Sequence, residues 1–434
     1  MKFRLWMATL AVIAAAAVGA GAYAWQPSID ALPDRPVPTD NQALLAQGAR
    51  IAAQGDCMVC HTSAHGKPYA GGLPLKTPFG TIYSTNITPD TATGIGSWSL
   101  AAFERAMHAG VSRDGHLLYP AFPYAHFTRM TQEDVGALYA YLMARTPAES
   151  KPPENELVFP LGFRPLVAGW NLLFLQRGAL PAPATPQSAE WLRGQYLVEG
   201  AGHCAACHTP MNMLGAEKSG QAFAGNLIDG WEAPPLNALA SKSPKPWTRE
   251  QLVAYLRTGL SSEHGAASGP MRPVTQHMAD VPEADVRAIA TYILALDTKA
   301  PASSATASAS APAPAPAVAT AGQRVDSGAA LFAGACAGCH AATAPMGTIS
   351  ERPSLALSTA INADSARNAI RTVLGGNPWN GSTAAHFMPP FADALSDAQI
   401  AEVLTYVRAS STQRPAWPDL EKDVAHIRNE ASPK

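Results

Sequence analysis

Apolar positions recur at helical spacing in pairs of stretches, and the pairs repeat along the chain. Leu44, Leu45, Gly48 and Ile51 share one face of a predicted helix. Gly194 with Tyr196-Leu197, and Gly328 with Leu331-Phe332, repeat the arrangement. In each case a glycine precedes a cysteine by eight to ten residues. A second helical pattern closes each repeat. Val135 is followed six residues later by Tyr141-Leu142, Val286 by Tyr292-Ile293, and Ile400 by Tyr406-Val407. Start signals agree: Asp280-Val281-Pro282-Glu283 and Ser396-Asp397-Ala398-Gln399 read as capping boxes, and Thr131 with Asp134 as a cap. A glycine on the opening helix lets an aromatic residue of the closing helix approach closely and lock the two ends of the module. No stretch shows the strong alternation of a half-buried strand. The pattern predicts an all-α chain of three tandem modules, at 41–150, 187–297 and 323–412.

The segments between modules have their own signatures. Met1-Lys2-Phe3-Arg4 precedes an uncharged apolar run from Leu5 to Trp25, which reads as a cleaved signal peptide or a retained membrane anchor. Either places the rest of the chain outside the cytoplasm. Residues 26–40, with Pro27, Pro33, Pro36 and Pro38, read as an extended tether. In the inter-domain segment 151–186, the run Leu166 to Leu175 is too short to span a bilayer. It could pack between modules, dock a partner or touch the membrane surface. Residues 298–322 are rich in Ala, Pro and Ser and cannot bury a core. They predict a tethered, partly mobile third module. The polar tail 413–434 gives no strong signal.

Composition narrows the class. Charged residues make up 15% of 434, well below the usual ~25%, and Gly and Pro are abundant. That balance suits small, loop-rich modules around an apolar group. The formal net charge of −2 and the lack of any long basic tract exclude a nucleic-acid binder.

The six cysteines fall entirely in three short motifs, Cys57-Met58-Val59-Cys60-His61, Cys204-Ala205-Ala206-Cys207-His208 and Cys336-Ala337-Gly338-Cys339-His340. C-x-x-C-H is the attachment signature for c-type haem. The two thiols would form thioethers with the haem vinyl groups, and His61, His208 and His340 would ligate iron. A zinc site would pool such pairs, whereas these lie far apart, each with its own His. Thioredoxin-like chemistry needs no adjacent His. The chain is therefore expected to carry three covalent haem c groups.

With an opening and a closing helix around each motif, the modules resemble the all-α cytochrome c domain. Such irons are usually held by His and Met. In module three Met388, in His386-Phe387-Met388-Pro389-Pro390, is the expected second ligand, ahead of Met346 and His386. Module two offers Met271 or Met278, with Met271 the first choice. Met211 and Met213 follow the motif closely and read as loop packing.

Longer motifs carry a more specific resemblance: Thr77-Pro78-Phe79-Gly80-Thr81-Ile82-Tyr83-Ser84-Thr85-Asn86-Ile87-Thr88-Pro89-Asp90, Gly94-Ile95-Gly96-Ser97-Trp98, Leu118-Tyr119-Pro120-Ala121-Phe122-Pro123-Tyr124 and Tyr196-Leu197-Val198-Glu199-Gly200. The chain resembles the triheme cytochrome c subunits of bacterial membrane-bound dehydrogenases. That resemblance implies an electron-transfer subunit on the periplasmic side of the cytoplasmic membrane. Its partners would be a catalytic subunit (molybdenum hydroxylase, quinoprotein or flavoprotein) and ubiquinone or a downstream cytochrome or oxidase. It also implies that Asn86 and its neighbours lie near the propionates of the first haem. The pattern departs at Phe122, where many relatives carry Met. Met130 is the expected replacement ligand, ahead of His126, with Met107, His108 and His116 further candidates. No Ser/His/Asp set, phosphate loop or dinucleotide fingerprint gives the chain catalysis of its own. A stand-alone electron shuttle, or a haem enzyme with one open iron, are the alternatives.

Overall fold

The computed structural model describes residues 21, 24–34, 40–297, 321–341, 343–344, 353–378 and 387–431. Most of the N-terminal apolar run, most of the Ala/Pro/Ser segment, Met346 and His386 lie outside them. Among the described residues no helix is long and apolar enough to cross a membrane. The chain divides into two compact units, Met1–Ala206 with Asn212–Ala216, and Cys207–Met211 with Glu217–Lys434.

In the first unit, α1 (Gln42–Gln54) starts at Asn41, whose side chain accepts the Leu44 N–H. It leads through Gly55 into the attachment turn α2 (Cys57–Cys60). β1 (Pro74–Thr77) and β2 (Gly80–Tyr83) pair antiparallel, and β3 (Glu156–Leu157) extends the sheet from β2. α3 (Leu100–Ala109) is capped by Ser99. The short α4 (Tyr124–Phe127) then leads to α5 (Gln132–Met143), where Thr131 caps the Asp134 N–H as expected. α6 (Leu166–Phe174) and α7 (Ala189–Glu199) complete the unit. Its core gathers Ile51, Phe103, Phe127, Met130, Val135, Leu138 and Leu142. Each large side chain buried this way contributes about 1.5–3 kcal/mol.

The glycine on the opening helix does what the pattern implied. A Cβ on Gly48 would lie 2.1 Å from Ala137 O and 2.5 Å from Tyr141 Cβ, so only glycine lets α1 cross α5 at this distance. The tether is less free than expected. Ile29 N–H donates to Arg113 O (2.7 Å), Leu32 N–H to Ser97 O (2.9 Å), and the Arg105 guanidinium to Pro27 O (2.6 Å). The run from Leu166 to Leu175 is amphipathic. Val167, Ala168 and Asn171 are buried, Tyr124 Oη donates to Asn171 Oδ1 at 2.7 Å, and Leu172 and Leu173 are about 70% exposed.

The attachment helix α8 (Cys204–His208) spans the division between the units. The second unit continues with the hairpin of β4 (Asn226–Ile228) and β5 (Trp231–Ala233). α9 (Arg249–Thr258) carries a Thr248–Gln251 capping box. A two-residue ladder follows, β6 (Leu260–Ser261) with β7 (Gly265–Ala266). α10 (Met271–Met278) and α11 (Glu283–Ala295) come next. α11 starts at Pro282, and no side chain caps it. The Asp280–Glu283 box expected from sequence does not form, because the proline shifts the cap to a residue with no acceptor.

The third module has α12 (Ala321–Ala335), the attachment turn α13 (Ala337–His340), α14 (Arg367–Gly375), α15 (Asp397–Ser411) and α16 (Leu420–Ala431). The Ser396–Gln399 capping box forms. A Cβ on Gly328 would lie 2.2 Å from Glu402 O and 2.9 Å from Tyr406 Cβ, the same close crossing as in the first module. Leu420–Ala431 of the polar tail form a helix. Trp417, Leu420, Val424 and Ile427 are buried against α15, and Glu430 bridges Arg367 (2.6 Å) and Arg371 (2.7 Å).

The all-α expectation therefore holds only in part. Helices dominate, but short antiparallel ladders stand between them. Each strand has two to four residues, too few for alternation to register as a pattern.

Candidate haem sites

Each attachment motif is a single helical turn closed on itself. His61 N–H donates to Cys57 O at 3.0 Å, and His340 N–H to Cys336 O at 2.9 Å. The turn holds both sulfurs and the imidazole within five residues. None of the six cysteines is in a disulfide. Burial, aided by the charges of Cys60 and Asp56, pushes the Cys57 thiol up to about 12. Burial likewise raises Cys336.

The imidazoles of the first two modules are oriented by backbone carbonyls. His61 Nδ1 lies 2.6 Å from Thr85 O, and His208 Nδ1 lies 2.8 Å from Pro234 O. A carbonyl can only accept, so each Nδ1 carries the proton and each Nε2 keeps its lone pair for a metal. Burial lowers both pKa values against the opposing pull of the carbonyl, which favours the neutral ligand form.

A second lock repeats behind each His. Gly71 N–H donates to His61 O and Gly225 N–H to His208 O, both at 2.8 Å. Thr62 Oγ1 accepts the Tyr69 N–H (3.1 Å), and Thr209 Oγ1 the Phe223 N–H (2.9 Å). Tyr69 and Phe223 are both left-handed, with φ of 63° and 58°. Sequence reasoning missed Thr62, Thr209, Thr85 and Pro234. The signal for the threonines was present as His-Thr after two of the three motifs. The third has Ala341 instead.

The segments that lead into the first and second attachment turns meet inside the first unit. Gln54 Nε2 donates to Leu197 O at 3.0 Å. A Cβ on Gly55 would lie 3.2 Å from Ala201 O and 3.4 Å from Cys57 Sγ. One on Gly202 would lie 3.5 Å from Gln54 Nε2 and 3.6 Å from Cys204 Sγ. Cys57 and Cys204 thus flank one backbone crossing.

The candidates for the far side of each iron differ in setting. Met388 is pinned by its backbone, which exchanges two hydrogen bonds with Asn377 (2.8 and 2.9 Å). Met271 opens α10 and keeps exposed surface, whereas Met278 at the end of that helix is buried. Met211 and Met213 are exposed. Met130 and Met107 lie in the core of the first module. His116 Nδ1 lies 2.6 Å from Asp114 and 2.9 Å from Ser112 Oγ in its own loop. His126 Nδ1 lies 3.3 Å from Glu199 O of α7. The amide of Asn86 is saturated within the protein. It donates to Ala148 O (2.7 Å) and Thr93 Oγ1 (3.0 Å) and accepts from Thr88 N–H and Oγ1. It stitches the 86–93 loop to residues 148–150 and has no group left for a propionate.

Two thiols, an imidazole with a free Nε2 and an apolar core suit a covalently held porphyrin. Among the described residues no three His, Cys, Asp or Glu side chains gather to hold a bare metal ion. Paired helices closed over such a turn, recurring along one chain, define a multihaem c-type protein. The chain belongs to the cytochrome c family, whose model matches residues 45–146, 192–297 and 325–411. It is 47% identical to a nicotinate dehydrogenase subunit of Pseudomonas putida, over 98% of this chain but 36% of that one. The chain therefore spans about a third of that relative's length. It is 35% identical to the cytochrome c subunit of the quinone alcohol dehydrogenase of Gluconacetobacter polyoxogenes, covering 91% of this chain and 86% of that one. It is 34% identical to the gluconate 2-dehydrogenase cytochrome c subunit of Pantoea cypripedii, covering 90% of both. The chain carries three covalently bound haem c groups.

Proposed function

We propose that this chain is the electron-transfer subunit of a dehydrogenase complex on the periplasmic side of the bacterial cytoplasmic membrane. It would pass electrons from a molybdenum, quinone- or flavin-dependent catalytic subunit to ubiquinone or a downstream cytochrome or oxidase. The observation that carries this reading is the contact between the segments leading into the first two attachment turns, Gln54-Gly55 before Cys57 and Leu197–Gly202 before Cys204. Redox groups attached at Cys57 and Cys204 would start from neighbouring points of the same unit. The names of the relatives support the same role.

When bound, haem supplies one-electron chemistry. The residues supply the rest. Cys57 and Cys60, Cys204 and Cys207, and Cys336 and Cys339 would hold the three groups. His61, His208 and His340 would ligate iron, and Met271 and Met388 would be further ligands in the second and third modules. Thr85 O and Pro234 O fix the imidazole tautomers, and the surrounding core excludes water.

The test is capture of the tagged chain from solubilised native membranes. A dehydrogenase catalytic subunit should co-purify, and its substrate should reduce all three haems, which a ubiquinone analogue should reoxidise. Capture of the intact triheme chain with no dehydrogenase subunit would overturn the proposal.

A further inference from the structure

The helix α6 carries apolar residues on both of its faces. Val167, Ala168 and Asn171 turn to the core, whereas Leu166, Gly169, Leu172 and Leu173 are exposed. Leu166 and Leu173 stand about two turns apart on that outer face. The loop before the helix continues the apolar surface. Phe159 is 97% exposed, Phe163 63% and Leu166 47%. This loop is not loose. Leu161 N–H donates to Val158 O (2.8 Å), Phe163 N–H to Pro160 O (2.9 Å) and Leu166 N–H to Phe163 O (3.1 Å). Tyr119 Oη ties it to the module by donating to Leu161 O at 3.0 Å. Apolar side chains scattered singly on a surface need no explanation, but a contiguous run marks a site of contact.

Two observations point to lipid as the occupant. The end of the N-terminal apolar run is pinned to the buried face of the same helix. Ala24 packs with Val111, Leu117, Val167 and Ala168. Just beyond it, Gln26 passes so close to the next loop that a Cβ on Gly115 would lie 2.2 Å from Gln26 O. The uncharged stretch from Leu5 to Trp25, whose composition suits a bilayer, and the apolar outer face of α6 therefore stand side by side. Charge agrees with this. From Leu157 to Arg177 the chain has no acidic residue, and Arg164 and Arg177 flank the helix. Arg177 is exposed, as suits anionic headgroups around an apolar insertion. A protein partner would cover the leucines equally well, but gives no reason for the apolar run to end on the same helix.

We infer that the outer face of α6 and the Phe159–Phe163 loop lie in the interfacial layer of a phospholipid bilayer, beside the N-terminal apolar run. The inference rests on the membrane location proposed above and names the surface that meets the lipid. The test uses full-length chain carrying three haems, in vesicles of phosphatidylethanolamine and phosphatidylglycerol that include a phospholipid with a photoactivatable acyl chain. After illumination, peptide mapping should find lipid adducts within residues 158–173. Leu172→Glu combined with Leu173→Glu should cut those adducts at least about tenfold. Haem count and thermal melt should not change, because both side chains are exposed. Should that variant fail to mature, Leu172→Ser with Leu173→Ser should lower the adducts in the same direction. Adducts confined to residues before Gln26, or none at all, would overturn the proposal. So would cross-linking of α6 to a dehydrogenase subunit in native membranes, through a photo-cross-linking residue in place of Leu173. Capture of a dehydrogenase and lipid labelling of α6 are separate readouts, and either can fail while the other holds.

Discussion

The two inter-module junctions that can be followed within single units are built differently. In the first unit, the end of α1 meets α7 and the segment after it. Gln54, 5% exposed, bonds to Leu197 O, and Ala201 O stands over Gly55 beside Cys57 Sγ. In the second unit, the second and third modules meet along a polar seam. Glu232 and Asn368 exchange two hydrogen bonds (2.9 and 2.8 Å), Asn377 Nδ2 donates to Ala267 O (3.2 Å), and Thr359 N–H donates to His264 O (3.1 Å). Lys242 and Asp364 add an exposed ion pair at 2.8 Å, of the kind that contributes little. The first junction joins the segments before two attachment turns through a buried side-chain-to-backbone bond and the close approach of Ala201 O to Gly55. The second is made of replaceable hydrogen bonds. It still holds the third module against the second, so the low-complexity segment is not what positions that module.

Crowding the helix crossings should separate the two designs most strongly. Gly48→Val would drive a side chain into Ala137 O, and Gly328→Val into Glu402 O. Each should cost more than about 3 kcal/mol, since backbone rather than a flexible side chain must move. The Gly48 variant should lose the first haem and perturb the second, because Cys204 shares its unit. The Gly328 variant should lose the third haem alone. Haem counts and redox titrations would show this. Equal, single-haem losses would remove the distinction.

The sequence was legible where the chemistry is local. Three motifs named the cofactor, and repeated glycines with tyrosines predicted the crossings at Gly48 and Gly328. What stayed hidden depends on contacts distant in the chain. Nothing local marks Thr85 O or Pro234 O as the acceptor for a histidine nitrogen, since any carbonyl can serve. The helix Leu420–Ala431 looked like a polar tail because its apolar residues, Leu420, Val424 and Ile427, are few among charges. Met130 precedes the cap of α5 as Val281 and Leu395 precede those of α11 and α15, a shared register that emerges only when the three caps are compared.

The seam of the second unit should be sensitive to acid. His264 is buried, stacks on Trp247 at 3.7 Å and places Nε2 3.2 Å from Gln251 Oε1. Burial first, with Lys245 adding to it, lowers its pKa to about 4, although Glu263 pulls the other way. A folded value below the unfolded ~6.5 means the folded state resists protonation. The stability His264 permits is thus complete above pH ~6.5 and falls as the pH drops towards 4, by up to about 3 kcal/mol. Thermal melts from pH 7 to 4 should show the loss, and His264→Gln should flatten it. An equally steep profile in the variant would assign the acid sensitivity elsewhere. The Gln54–Leu197 bond has no titratable atom. Gln54→Leu should therefore cost a pH-independent amount, about 1–2 kcal/mol for a buried hydrogen bond.

The weakest expected effect bears on the seam itself. Cleavage within residues 298–320 would cut the covalent path to the third module and leave Glu232–Asn368, Asn377–Ala267 and Thr359–His264 in place. The third-module fragment should then stay bound to the rest of the chain on size exclusion. Asn368→Ala removes two hydrogen bonds and exposes Glu232 N–H and O to solvent at a part-buried site. At about 0.5–1.5 kcal/mol for each bond replaced by water, the fragment's dissociation constant should rise roughly tenfold. Gln54→Leu, in the other unit, should leave it unchanged. A fragment that elutes free at once after cleavage would mean that the hydrogen bonds of the seam form only under the tether. The third haem would then reach its partners from a detached module.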